Sequence, residues 1–243
     1  MKKESILIAD RICSVYMATP HAEQNSDKSE RADCLLIQPI DEHDLEVLDN
    51  EVKTIMSLTD KPFTFVAFEI KDWQSELTPW AAPAAFGKIP FGDGAEATLF
   101  YIKDILIPKL EQMQLYDKAT MQCLLGGYSL AGLFALWAGY QSPRFDGIAA
   151  VSPSVWYPRW MEYAVTHKPL APAVYLSLGD KEEKTKNPVM AQVGNCIRKQ
   201  QELLTAHGIN TILEWNAGNH FQHPDERMAK GFAWLLWPNT SSI

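Results

Sequence analysis

The fold of this chain is decided by one stretch, Cys123-Leu124-Leu125-Gly126-Gly127-Tyr128-Ser129-Leu130-Ala131-Gly132-Leu133-Phe134-Ala135-Leu136-Trp137. An apolar run typical of a buried strand leads into a glycine-rich turn, and an apolar helix follows at once. Small residues stand two before and two after Ser129, which lets strand and helix approach closely and leaves the serine hydroxyl exposed on a strained turn. The pattern predicts that Ser129 is a nucleophile and that the helix amino terminus beneath it adds positive potential for a developing oxyanion. A glycine-rich turn with a helix-capping serine is the alternative interpretation.

Strands and helices alternate on both sides of this stretch. Strands are predicted at residues 14–18, 34–37, 63–68, 121–125, 147–151, 173–178 and 211–215. Helices are predicted at residues 44–58, 95–115, 130–141, 189–207 and 224–237, and Pro108 is expected to kink the second of them. This alternation predicts an α/β fold with a mostly parallel central sheet flanked by helices. A length of 243 residues fits a single domain spanning residues 1–243.

Two segments interrupt the alternation. Residues 21–32 are polar and predict an exposed turn. Residues 71–97 hold Trp73, Trp80, Phe86 and Phe91 among several prolines. Long insertions into compact domains are usually functional loops, so we expect an aromatic-rich loop or cap at residues 71–97. Trp73 and Trp80 are expected to form an aromatic wall over the substrate, although packing of the cap onto the core explains them nearly as well.

A serine hydroxyl is a weak nucleophile and needs a general base. Sheets of this kind place reactive groups at the carboxyl ends of their strands. His220 follows the strand at residues 211–215, in the turn Asn216-Ala217-Gly218-Asn219-His220-Phe221. We therefore predict that His220 is the base, with His223 as the alternative.

A third group should orient the histidine and stabilise its cationic form. The strand at residues 173–178 leads into Gly179-Asp180-Lys181-Glu182-Glu183-Lys184, where three carboxylates compete. Many hydrolases place the acid three residues after such a glycine, which selects Glu182. Asp180 and Glu183 remain alternatives, and a solvated charged loop would explain the whole run without catalysis.

Further motifs extend the pattern downstream of Ser129. They are Phe145-Asp146-Gly147, Val151-Ser152-Pro153-Ser154-Val155-Trp156, the Gly179-x-x-Glu182 spacing and Gly218-Asn219-His220. Together with the stretch around Ser129, they resemble an esterase family of the α/β-hydrolase superfamily. That family includes enterochelin (siderophore) esterases, S-formylglutathione hydrolase, feruloyl esterases and mycolyltransferases. The resemblance covers residues 95–237 well and the first third of the chain loosely, and it implies the α/β-hydrolase fold.

The resemblance also implies additional site residues. One oxyanion-hole amide would be that of Leu130, the residue after the nucleophile. A second would come from the loop after an early strand, near Ile40. The family often has Asp-Gly or Gly-Gly there, whereas this chain has Pro39-Ile40-Asp41, so the identity of that donor stays open. Ser154 and Trp156, with Ser152, would line the substrate site, and a structural turn after a strand is the alternative.

The motifs predict a serine carboxylic-ester hydrolase that acts through an acyl-enzyme on a small ester and needs no cofactor. Acyl transfer to a sugar or alcohol is one alternative, and a non-catalytic binding protein that retains the fold is another. The natural substrate stays open among siderophore esters, sugar esters, aryl esters and thioesters.

Composition excludes several other classes of function. The net charge of −8 disfavours binding to nucleic acid or to anionic membranes. The apolar run at residues 6–9 is too short for a signal peptide and no stretch is long enough to span a membrane, so we expect a soluble, cytoplasmic protein. The four cysteines form no C-x-x-C pair, so we expect neither a metal site nor a redox motif. The sequence does not indicate an oligomeric state.

Overall fold

The computed structural model describes residues 1–20, 32–85 and 87–237. Its strands are β1 (Lys2–Ile8), β2 (Arg11–Ala18), β3 (Cys34–Ile40), β4 (Phe63–Glu69), β5 (Gln122–Tyr128), β6 (Gly147–Val151), β7 (Ala173–Gly179) and β8 (Asn210–Asn216). Its α-helices are α1 (Glu42–Leu58), α2 (Trp73–Glu76), α3 (Ala95–Phe100), α4 (Ile107–Gln112), α5 (Leu130–Gln141), α6 (Trp160–Thr166), α7 (Val193–Ala206) and α8 (Pro224–Leu236). The exposed turn predicted at residues 21–32 lies outside the described residues, apart from Ala32. Phe86 also lies outside them.

One eight-stranded sheet organises the molecule, in the order β1-β2-β4-β3-β5-β6-β7-β8. Strands β1, β2 and β4 pair antiparallel, and every pairing from β4 through β3 to β8 is parallel. Because the parallel strands run the same way, the loops after β5, β7 and β8 meet at one edge of the sheet. The predicted mostly parallel sheet is confirmed.

Helices cover both faces of this sheet. Helices α1 and α8 pack on one face over Leu36, Phe65 and Tyr175, and the other face is covered by α5 and by the segments around α4 and α7. Helix α5 is buried from Leu130 to Tyr140, which explains why it is apolar on every side. The predicted flanking helices are confirmed.

The long helix predicted at residues 95–115 differs in detail. Helix α3 continues into a π-helical stretch, Tyr101–Leu106, and then into α4. Pro108 lies in the first turn of α4, so the irregular hydrogen bonding lies just before the proline that was expected to cause a kink. Because the helix runs on from α3, Pro108 removes an N–H that would otherwise donate to a carbonyl of the preceding turn, and the π-helical stretch includes that turn.

The segment at residues 71–97 is attached to the body of the protein. It contains α2 and an isolated antiparallel bridge between Ala82 and Phe91. The Trp80 indole Nε1 donates to the Pro158 carbonyl at 2.8 Å, and the Asn187 amide donates to the Ala85 carbonyl at 2.6 Å. The segment therefore packs against the residues that precede α6 and α7.

Two general findings complete the fold. Across residues 1–20, 32–85 and 87–237, no helix is long and apolar enough to cross a membrane. In the same part of the chain, no group of three or more histidine, cysteine or acidic side chains is arranged to hold a metal ion.

Candidate active site

Ser129 occupies a sharp turn between β5 and α5. Its φ of 59° and ψ of −118° are unfavourable for a residue with a side chain, so the surrounding structure must hold them in place. Its amide donates to the Val151 carbonyl at 3.1 Å, and its own carbonyl accepts from the Ser154 amide at 3.0 Å. The Ser129 side chain makes no capping bond to α5. The turn therefore leaves the hydroxyl available.

Small residues make this turn possible. A Cβ added at Gly127 would lie 2.3 Å from the Ala131 carbonyl oxygen and 2.8 Å from the Ala131 Cβ. Atoms do not approach that closely, so glycine is required before Ser129, and any larger residue at Ala131 would crowd the same space. This contact is the physical basis of the spacing read from the sequence.

His220 reaches Ser129 from the loop between β8 and α8. Its Nε2 lies 3.0 Å from Ser129 Oγ, and its Nδ1 lies 2.7 Å from Glu182 Oε2. An ionised carboxylate can only accept, so Nδ1 carries the proton and Nε2 is free to accept from the serine hydroxyl. The Tyr128 hydroxyl holds the loop by donating to the His220 carbonyl at 2.6 Å.

Glu182 follows β7 and is buried, with only 4% of its side chain exposed. Its Oε1 accepts three hydrogen bonds: from the Gly179 amide at 2.7 Å, from Ser152 Oγ at 2.7 Å and from Arg227 Nη1 at 3.1 Å. Burial alone would raise the pKa of Glu182, but the hydrogen bond and charge of His220 and the bonds from Ser152 and Gly179 hold this pKa below its usual value. The carboxylate is therefore both ionised and fixed in position.

The two competing carboxylates of this loop face other partners. Asp180 Oδ1 accepts from the Gly218 amide at 2.8 Å. Glu183 pairs with Arg198 at 3.1 Å. Of the three acids that the sequence left open, the structure brings Glu182 to His220. The alternative base, His223, lies at the start of α8 with its Nδ1 3.4 Å from Glu226, and its side chain is mostly exposed.

The two predicted oxyanion donors differ in their surroundings. Leu130 is the first residue of α5 and lines the cavity beside Ser129. Ile40 is the last residue of β3, and its carbonyl accepts from the Ile70 amide at 2.9 Å. One residue, Asp41, separates β3 from α1, and its amide donates to Asp44 Oδ2 at 3.2 Å. The segment after β3 therefore begins a helix at once, and Ile40 is not among the residues that line the cavity.

A cavity of about 580 Å³ opens beside Ser129 and His220. Apolar side chains, among them Trp73, Trp156, Met190, Val193 and Phe221, supply much of its wall. Ser154, Lys181, Lys184, Thr185 and Asn219 supply further polar groups. The predicted lining residues Ser154 and Trp156 are thus at the cavity. Its size suits a small organic ligand.

Trp80 lies away from this cavity. Its ring packs against Tyr157 and Tyr163 at centroid distances of 6.0 and 5.6 Å, and the guanidinium of Arg159 lies 5.2 Å from it. Trp80 thus holds the cap onto the body, which is the alternative that the sequence left open. Trp73, from the same segment, lines the cavity.

The sequence pattern missed several groups around the site. No role was predicted for Arg227, for Tyr128 or for the rim lysines Lys181 and Lys184, although Tyr128 directly precedes Ser129. The charged run after β7 was a signal for the lysines, although it also fits a solvated loop. Arg227 carried no signal, because its partners come from separate segments of the chain.

Comparisons with known proteins show what this arrangement resembles. No protein-family model matches the chain, and neither does any curated protein sequence. Among solved structures, the siderophore hydrolase EstA from Aspergillus nidulans has a TM-score of 0.73 and 19% identity, covering 96% of this chain and 93% of that one. An IroE-like serine hydrolase from Shewanella oneidensis has a TM-score of 0.77 and 15% identity, covering 96% and 79%. The enterobactin esterase FES from Shigella flexneri has a TM-score of 0.64 and 16% identity, covering 96% and 58%.

At these identities, structural likeness establishes the fold. The sharp strand-to-helix turn at Ser129 is a feature of the α/β-hydrolase fold. The chain therefore has the α/β-hydrolase fold, in the form found in these siderophore hydrolases and serine hydrolases.

Proposed function

We propose that this protein is a serine carboxylic-ester hydrolase with a Ser129–His220–Glu182 triad. The observation that carries the proposal is the unbroken hydrogen-bond chain from Ser129 Oγ through both ring nitrogens of His220 to Glu182. At its Ser129 end, this chain of hydrogen bonds faces a cavity large enough for a small ester. A nucleophile, a base and a group that orients the base, in hydrogen-bond contact, are the parts that acyl transfer requires.

The geometry supports a role for each group. Ser129 Oγ attacks the ester carbonyl while His220 Nε2 takes its proton, and His220 then passes that proton to the leaving alkoxide. Glu182 keeps the other ring proton on Nδ1, so that Nε2 faces the serine as an acceptor. The Leu130 amide, at the positive end of α5, stabilises the oxyanion. Water activated by His220 then releases the acyl group by the same route.

Hydrolysis of p-nitrophenyl acetate and butyrate tests this proposal. We expect turnover by the wild-type protein, its loss in Ser129→Ala, and labelling of Ser129 by a fluorophosphonate probe. Ser57→Ala is the matched control, because Ser57 lies on the exposed side of α1, where its hydroxyl donates to the Thr54 carbonyl. Wild-type activity in Ser129→Ala, or no labelling of the intact protein, would refute it.

The cavity rim favours a substrate that carries negative charge. Lys181 and Lys184 line the cavity although the chain as a whole has a net charge of −8. The acidic neighbours on this loop are engaged elsewhere: Asp180 with Gly218, and Glu183 with Arg198. We propose a siderophore ester as the substrate class, since EstA is described as a siderophore hydrolase and FES as an enterobactin esterase. The two rim lysines would favour a member of that class that carries negative charge.

Paired substrates test the charge preference. The mono-p-nitrophenyl ester of succinic acid carries a carboxylate that p-nitrophenyl butyrate lacks, at similar size. We expect Lys181→Ala and Lys184→Ala to raise KM for the succinate ester alone, and added salt to do the same. Lys199→Ala, on α7 and paired with Glu202, is the control. Equal effects on both esters would contradict the charge preference and leave the triad unaffected.

A further inference from the structure

A buried guanidinium lies behind the Ser129–His220–Glu182 chain. Arg227 stands one turn into α8, and only 2% of its side chain is exposed. The amino end of a helix carries partial positive charge, so a cation is disfavoured there, and burial disfavours it further. Such a residue needs strong compensating contacts.

Five acceptors surround the two terminal nitrogens of Arg227. Nη1 lies 3.1 Å from Glu182 Oε1, 3.1 Å from the Tyr128 hydroxyl and 3.4 Å from Ser152 Oγ. Nη2 donates to the Ala217 and Asn219 carbonyls, each at 3.0 Å. The guanidinium therefore joins the loop that carries Glu182, the loop that carries His220, and the end of β5.

The Arg227 guanidinium also bonds Asn219 and Tyr128, the two residues next to His220 and Ser129. Asn219 directly precedes the histidine, and its carbonyl accepts from Arg227. Tyr128 accepts from Arg227 and donates to the His220 carbonyl at 2.6 Å. Ser129 follows Tyr128 directly. One planar side chain thus contacts the segments that carry all three groups of the proposed triad.

We infer that Arg227 is a positioning residue for ester hydrolysis, which clamps the Glu182 loop to the His220 loop and holds the Glu182 carboxylate in place against His220. This inference rests on the triad proposed above. It requires the planar fork of arginine, because a lysine ammonium is a single point charge and cannot span the carboxylate and both loop carbonyls.

The charged and titratable groups that act on Glu182 are His220, Arg227 and Tyr128. Burial raises the pKa of the Tyr128 hydroxyl to about 12, so it stays neutral in an ordinary assay. The positive charge of Arg227 disfavours an added proton on the Glu182–His220 pair, whose two groups titrate together. Removing that charge therefore makes the pair bind a proton more tightly. Protonation, which inactivates the pair as a base, then occurs at higher pH.

Arg227→Met and Arg227→Lys test this inference on the full chain. For Arg227→Met we expect kcat to fall at least about tenfold with little change in KM, and the acid limb of the kcat/KM profile to move up by about one pH unit. Arg227→Lys should keep the acid limb near that of the wild type but still lose kcat. Arg144→Met is the control, because Arg144 is also largely buried but lines a separate cavity with Tyr116 and Asp146.

Two further measurements keep the test decisive. If Arg227→Met does not fold, Tyr128→Phe removes one link of the clamp and should shift kcat in the same direction. Proton NMR reads the His220 Nδ1–H resonance without turnover, so it tests the clamp even if Ser129→Ala retains activity and the proposed function fails. A folded Arg227→Met with wild-type kcat, acid limb and NMR resonance would overturn the inference, as would a change confined to melting temperature.

Discussion

Replacing Glu182 with glutamine removes the charge of the proposed acid and turns one of its acceptor oxygens into an NH₂ donor, while the shape of the side chain hardly changes. Three donors converge on Oε1, from Gly179, Ser152 and Arg227. The glutamine oxygen must occupy that position, so its NH₂ group is forced to face His220 Nδ1. An NH₂ group can only donate, so His220 must place its proton on Nε2. The histidine then presents a hydrogen to Ser129 and cannot take one.

The expected loss follows from this wrong tautomer. A comparable change in other serine hydrolases lowers kcat by about 10⁴-fold, which corresponds to about 5 kcal/mol of transition-state stabilisation. KM should change by less than about threefold, because the side chain is almost wholly buried. Stability should also fall by about 3–5 kcal/mol, since Arg227 is left buried without its counter-charge.

The assay is p-nitrophenyl butyrate hydrolysis with fluorophosphonate labelling, after circular dichroism has shown that the variant is folded. Asp180→Asn and Glu183→Gln are the matched controls, because they remove the neighbouring charges while Asp180 and Glu183 face Gly218 and Arg198. Both controls should stay within about threefold of the wild type. A folded Glu182→Gln with more than about a tenth of wild-type kcat would refute the assignment. An equal loss in Asp180→Asn would do so as well.

Three further outcomes are expected. Gly179→Ala should lower both kcat and melting temperature, because the new Cβ would lie 2.5 Å from the Gly218 carbonyl oxygen and 2.9 Å from Glu182 Oε1. The pKa of Glu182 is held below its usual 4.5, so its ionised form stabilises the folded state above that pH and this contribution disappears as pH falls through the lower folded-state value. Urea unfolding from neutral pH downward should show that loss in the wild type and not in Glu182→Gln. Trp73→Ala should raise KM several-fold, while Trp80→Ala should lower the melting temperature and leave KM unchanged; the reverse pattern would show that Trp80 is the residue that meets substrate.

Local sequence patterns were enough to predict most strands of the sheet. The central strands are apolar throughout because helices cover both of their faces, and such runs are readable from one sequence. Strand β1 was not predicted, because its pattern of burial leaves Lys2, Lys3 and Leu7 exposed at the edge of the sheet. Helix α6 was also missed, since its seven residues are too few to establish a helical period.

The cap shows a different limit. Trp73 and Trp80 are seven residues apart in the same segment and were equally good candidates for contact with substrate. Their separation into a cavity residue and a packing residue depends on the carbonyl of Pro158, which accepts from the Trp80 indole at 2.8 Å. A partner 78 positions away in the chain is invisible to any local pattern.

The proposed acid shows why residue type and spacing can suggest the candidates for a site but cannot choose among them. Asp180, Glu182 and Glu183 are chemically alike, and what separates them is direction: a short 3₁₀ turn, Glu182–Lys184, leaves Glu182 buried while Glu183 points outward to Arg198. A carboxylate can enter the interior only where donors already converge, because an unpaired buried charge is strongly disfavoured. One of the donors that meets this requirement for Glu182 is Arg227, which lies 45 residues further along the chain. The assignment of the proposed acid therefore depends on the assembled fold, and a search for buried arginines beside candidate carboxylates would have selected Glu182 once the fold was known.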